Sequence, residues 1–125
     1  MAGVSTLPQN QKYVSVVCAE DFTGKKNYFV KDDGTLGDAT SANLLGVCET
    51  EGESGETITV QVGGYATIKC TSTTPALGAF AKADAAGTAV AAATADDEGF
   101  KVVKAAGTSA GLAVINLDHR MRIHV

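Results

Sequence analysis

The residues able to do chemistry in this chain are few, and their spacing argues against most of the chemistry they suggest. Gly107-Thr108-Ser109-Ala110-Gly111 matches G-x-S-x-G, the nucleophile elbow, in which a strand-to-helix turn presents a serine hydroxyl to separate Asp and His partners. The LAVINL run immediately after it has β character, and the nearby Asp118 and His119 are consecutive. Consecutive strand residues point to opposite faces, so these two cannot form an ordered relay, and a Gly-rich turn is expected instead. His119 and His124 fall on opposite faces in the same way, and Cys18, Cys48 and Cys70 lie far apart with no C-x-x-C pair, so no shared metal is expected. The three cysteines cannot all pair within one chain and are read as small apolar packing residues.

Two further patterns also fall short. Thr23-Gly24-Lys25-Lys26 approaches the end of a phosphate-binding loop, but Ala19 stands where its first Gly belongs and Lys26 where Ser or Thr belongs. Asp96, Asp97 and Glu98, and Glu49, Glu51, Glu53 and Glu56, lack the alternating spacing of a calcium loop and read as solvated acidic turns. No catalytic, cofactor-binding or metal-binding residue is assigned, and no enzymatic activity is expected.

The elements that would position any site are strands. Residues 44–70, LLGVCETEGESGETITVQVGGYATIKC, carry the clearest pattern: a short apolar strand through Leu45 and Val47, an acidic Gly-rich turn, an alternating strand over 57–62, a Gly63-Gly64 break and a further strand over 65–70. The period puts Ile58, Val60 and Val62 inward with Thr57, Thr59 and Gln61 outward, then Ala66, Ile68 and Cys70 inward with Tyr65, Thr67 and Lys69 outward. Further strands are expected over 13–18, 27–31, 79–83, 88–92, 100–104, 112–117 and 120–125. Asp32-Asp33-Gly34 and residues 84–87 supply tight turns, residues 71–78 a loop, and residues 94–99 an acidic surface loop. Asp38 can cap a short helical turn through Ala39, Ala42 and Leu44. Residues 1–12 show neither period and read as an extended arm ahead of one β domain over 13–125.

Composition narrows the class. The chain has 14 Gly but only 4 Phe, 3 Tyr and no Trp, so the core must be thin and stability is expected to come partly from self-association. A net charge of −4 without a concentrated basic surface disfavours nucleic acid. No apolar run is long enough for a membrane helix, and the start lacks the pattern of a signal peptide, so a soluble protein made in the cytoplasm is expected.

The arm, the D-G turn, Leu45-Gly46-Val47, the T-x-T-V-x-V-x-G strand within 57–64, G-A-F-A-K-A-D-x-x-G-T within 78–88 and Gly111-Leu112-Ala113-Val114 together resemble the small capsid decoration, or cement, proteins of tailed phages. The resemblance spans roughly residues 20–125. It implies a mainly β, antiparallel, β-tulip-like barrel or sandwich with at most one or two short helical turns. It also implies a homotrimer on the outer surface of the mature capsid, made in the host bacterial cytoplasm and partnered by the major capsid protein and by itself. Nucleic acid, membrane and cofactor have no part. On this reading Val4, Leu7, Pro8, Lys12 and Tyr13 form the capsid-binding arm, and Tyr65, Thr67 and Lys69 are a trimer-contact face. A tail-tube, baseplate or fibre module would use the same strands. A carbohydrate-binding module is poorly supplied with aromatic rings, and a hydrolase would depend on Ser109.

Overall fold

A computed structural model describes residues 11–38, 43–70, 75–91, 98–107 and 111–122. Nine strands follow one another along them: β1 (Lys12–Val17), β2 (Phe29–Lys31), β3 (Leu44–Cys48), β4 (Thr57–Gly63), β5 (Tyr65–Lys69), β6 (Phe80–Ala83), β7 (Ala89–Ala91), β8 (Glu98–Lys104) and β9 (Leu112–Arg122). They build two antiparallel sheets, one ordered β1-β4-β3-β2 and the other β5-β9-β8-β6-β7. The architecture is a β sandwich. Neither sheet closes into a barrel, which corrects the barrel half of the expectation. No described residue is helical, and positions 39–42, where the helical turn was expected, lie outside the described residues.

The main core lies between the sheets. Phe29, Leu44 and Val47 meet Ala66, Ile68, Ala81, Ala83, Ala89, Phe100, Val102, Ala113, Ile115 and Leu117, all buried. The Phe29 and Phe100 rings stack across the gap at 5.9 Å. With alanine at so many inward positions of the second sheet, these two rings supply much of the apolar bulk, the thin core that composition predicted.

The first sheet is buried on its other face too. Cys18, Phe22, Val30, Cys48, Ile58 and Val60 form a second cluster, with Val16, Leu36, Leu45 and Val62 against it. Backbone bonds tie the covering loop down: the Phe22 N–H donates to Gly52 O at 2.8 Å and the Asn27 N–H to Cys48 O at 2.8 Å. An irregularity between Val30 and Lys31 sets Val30 opposite Gly46 and Lys31 opposite Leu44. Leu45 is therefore the extra residue of a bulge, and that is why Leu44 and Val47, three apart, both reach the main core. Gly46 has no alternative residue: a Cβ there would run into the Gln61 carbonyl oxygen of β4.

Several sequence expectations need correction. The apolar face of β4, Ile58 and Val60, meets the second cluster and not the main core. Gln61, expected outward, is buried, because it pairs with Val47 and shares that residue's core-facing side. Residues 44–70 do not form one sheet, since β5 leaves for the second sheet at Gly63-Gly64. The strand expected over 27–31 starts at Phe29, because Asn27 has a left-handed backbone (φ 72°) and Tyr28 closes a turn on Lys25. Glu98 and Gly99, expected in a loop, begin β8. The two final strands are one: β9 runs through Asp118 and His119, and its pairing with β8 shifts between Phe100 and Lys101 to accommodate the extra residues.

Candidate functional site

A sheet that is not closed presents edges, and an unpaired edge offers a row of backbone donors and acceptors. Three of the four edges here carry at least one backbone bond or bridge to another part of the chain. Along β2, Phe29 and Lys31 bond Gly87, Gly37 and Thr35. Short β7 is bridged to Cys70 at Ala89. Near the end of β5 the Lys69 N–H donates to Asn27 O at 2.8 Å. β1 differs: one side pairs with β4 from Lys12 to Val17, and among the described residues nothing pairs with the other. The strand is also apolar and open, with Tyr13 47%, Val14 40% and Val17 61% exposed, and it carries no charge between Tyr13 and Val17. Sequence reasoning placed a strand here and named Tyr13, but missed that both faces of the strand are exposed. Val14 and Val17 read as ordinary strand residues, and no local signal separates them from core positions.

Beside β1 lies a groove of about 390 Å³ lined by Gln11, Tyr13, Lys26, Asn27, Glu49, Gln61, Tyr65, Thr67 and Leu112. It exists because β5, an edge of the second sheet, stops short of β4 and β1. Tyr13, across the ladder from the buried Gln61, is thereby left open on the groove wall. Tyr13, from the expected arm-side set, and Tyr65 and Thr67, from the expected trimer face, thus line one cleft. Lys69 does not line it, though it shares their strand, and Lys12 stands at the exposed start of β1. Val4, Leu7 and Pro8 lie outside the described residues.

The floor of the groove is built by the crossing between sheets. Gly64, at φ 82°, turns the chain from β4 into β5. The Gln61 amide donates to Gly63 O at 2.9 Å and to Tyr65 O at 2.7 Å, binding both sides of the corner. The Gly64 N–H donates to the Asp118 carboxylate at 3.1 Å, and the Leu117 N–H donates to Gly64 O at 2.9 Å, fastening the same corner to β9. Gln11 closes it from above, its amide donating to Tyr65 O at 3.4 Å.

Nothing in this arrangement points to nucleophilic or metal chemistry. No described group of His, Cys, Asp and Glu could hold a metal ion. Burial pushes the Cys48 thiol up to about 11, with the charges of Cys18, Glu51 and Glu49 adding to it and a backbone hydrogen bond from Thr50 opposing it. Burial likewise raises Cys18 and Cys70, so all three thiols are held protonated and poorly nucleophilic. Thr108, Ser109 and Ala110 lie outside the described residues. No protein-family model, curated protein or solved structure matches the chain.

Proposed function

We propose that this chain is a structural virion protein that binds the outer surface of a mature tailed-phage capsid and stabilises it, acting as a homotrimer. The observation that carries the reading is the apolar edge of β1, without charge from Tyr13 to Val17 and unpaired among the described residues. Such an edge is a liability for a free protein and an asset for one that works by being added to a lattice. β1 is already ordered by its ladder to β4, so a strand added to it orders only the incoming partner. Each added backbone bond nets about 0.5 to 1.5 kcal/mol, whereas ordering a mobile residue costs about 1 to 2 kcal/mol. A preformed edge therefore binds where two unformed strands would not, and burying Tyr13, Val14 and Val17 adds an apolar contribution. Three copies on one lattice site multiply a weak contact into occupancy.

In this reading Lys12 and Tyr13 contact the major capsid protein together with Val4, Leu7 and Pro8 of the segment before them. The face carrying Tyr65, Thr67 and Lys69 supplies contacts between copies. The test is occupancy of expanded, empty capsids by the full chain, by a variant without residues 1–10 and by a Val14→Lys, Val17→Lys double variant. Saturable binding by the full chain, lost in the double variant, supports the proposal. Undiminished binding by the double variant removes β1 as the docking edge, and assembly of the free protein into rings or tubes would favour a tail component instead.

A further inference from the structure

We propose that the groove beside β1 is a binding site for a neutral saccharide, anchored by the side-chain oxygen of Gln61 on its floor. Gln61 is 4% exposed, and its Nε2 is committed to the corner, donating to Gly63 O at 2.9 Å and to Tyr65 O at 2.7 Å. Both partners are carbonyls, so the network fixes the amide with Nε2 toward them and leaves Oε1 as the atom Gln61 can offer the groove. No bond to Oε1 is found among the described residues, and a buried acceptor in that position calls for a donor. A second open pair stands on the wall. Successive residues of an antiparallel strand direct their N–H and C=O to opposite edges. The Gly64 carbonyl and the Cys70 N–H are bonded on the β9 side, whereas the Lys69 N–H and the Tyr65 carbonyl point the other way, to Asn27 and to the Gln61 amide. Thr67 lies between these two and shares their parity, so its N–H and C=O face the groove, and no bond to either is found among the described residues.

The lining decides the chemistry of the occupant. Lys26 and Glu49 stand on the same groove, one charge of each sign, so neither an anion nor a cation is preferred to a neutral molecule. An apolar molecule would fill the space and leave Gln61 Oε1 and Thr67 without partners. A peptide strand laid along β5 would find only Thr67 open, because the Tyr65 carbonyl and the Lys69 N–H are already bonded, and its ladder would end after one residue. A neutral molecule with several hydroxyls meets every condition, since each hydroxyl donates one hydrogen bond and accepts others. It finds acceptors at Gln61 Oε1, Glu49 and the Thr67 carbonyl, and donors at Lys26 and the Thr67 N–H. The C–H faces of a sugar also need apolar surface. Two of the chain's three tyrosines, Tyr13 and Tyr65, reach this groove together with Leu112, so the fold gathers in one place the rings that composition shows to be scarce. At about 390 Å³ the groove is at the small end of ligand clefts and suits a mono- or disaccharide.

The site goes beyond the decoration reading and does not rest on it. NMR titration of the full chain tests it with maltose, lactose and diacetylchitobiose, each raised to about 20 mM, ample for a Kd of about 1 mM. At least one of the three is expected to give saturable shifts at the Gln61 side-chain amide and at the Tyr65 and Thr67 backbone amides, with β6 and β7 unmoved. Tyr13→Ala, at an exposed position that leaves the corner intact, is expected to weaken that binding about tenfold with an unchanged urea midpoint. Gln61→Met, which removes the acceptor itself, is expected to abolish the shifts at a temperature where its spectrum is that of a folded chain. Absence of saturable shifts with all three sugars overturns the proposal, and so does undiminished binding by either variant.

Discussion

Replacing Gln61 with Met isolates the two hydrogen bonds that hold the crossing between the sheets. The side chains have nearly the same length and volume, and the position is 4% exposed, so the substitution opens no cavity worth the name. What it removes is the amide that donates to Gly63 O at 2.9 Å and Tyr65 O at 2.7 Å. A neutral hydrogen bond nets about 1 kcal/mol, and a buried acceptor left without a donor costs about 1 to 3 kcal/mol. Tyr65 O keeps a longer bond from Gln11 at 3.4 Å, which softens its loss, and the Met side chain regains some apolar burial. The balance is a destabilisation of about 2 kcal/mol, equivalent to a fall in Tm of about 5 to 10 °C for a chain of this size. Urea unfolding at fixed protein concentration, so that self-association contributes equally, is the assay. A second variant, Gln11→Ala in the Gln61→Met background, should cost more than it does alone, because Tyr65 O then loses its last side-chain donor. A loss below about 0.5 kcal/mol for Gln61→Met would refute the claim that the corner is held by these bonds.

Four further expectations are independent of that one. Val14→Lys and Val17→Lys should each change unfolding free energy by less than about 0.5 kcal/mol, since both sites are exposed, which is checked by the same urea titration. Gly46→Ala should cost about 3 kcal/mol, at the top of the overpacking range, because the new methyl would meet the Gln61 carbonyl oxygen and force β3 from β4; thermal unfolding reads this directly. Ellman's reagent should leave all three thiols unmodified in the native protein at pH 8. Because burial raises the folded pKa of Cys48 from 9.0 to about 11, its contribution to stability is fully present below pH 9 and is lost as pH rises toward 11. Cys48 alone adds a slope of up to about 1.4 kcal/mol per pH unit, and Cys48→Ala should lose that share while the part due to Cys18 and Cys70 remains.

Strand existence was legible because period 2 is a local signal: β4 and β5 stand where alternation put them, and the turns at Gly34 and Gly87 carry the left-handed φ that Asp-Gly and Ala-Gly pairs anticipate. The partition of strands between sheets was not legible. Gly63-Gly64 reads equally well as a hairpin or as a crossing, and only the pairing of β5 with β9, far along the chain, decides. Which face of β4 meets which core was hidden for a related reason. Alternation separates two faces but does not say that the loop before β2 covers one of them with Phe22. The buried Gln61 reads as an outward residue until its partners, two carbonyls of the corner, are in place. The groove lies beyond any single stretch of sequence, being assembled from residues as distant as Gln11 and Leu112.

The ladder between β1 and β4 also sets how the protein bears load. A pull applied at Gln11 along the strand axis draws β1 lengthwise past β4, so the bonds from Lys12 to Val17 are strained together and share the force. A pull applied at right angles would open them one after another from the end. A partner that grips the start of β1 in line with the strand thus transmits tension through the ladder into Gly63, and from there through the Gly64 corner to β9 at Asp118 and Leu117. Both sheets are then loaded in shear, the direction in which hydrogen-bonded strands resist most.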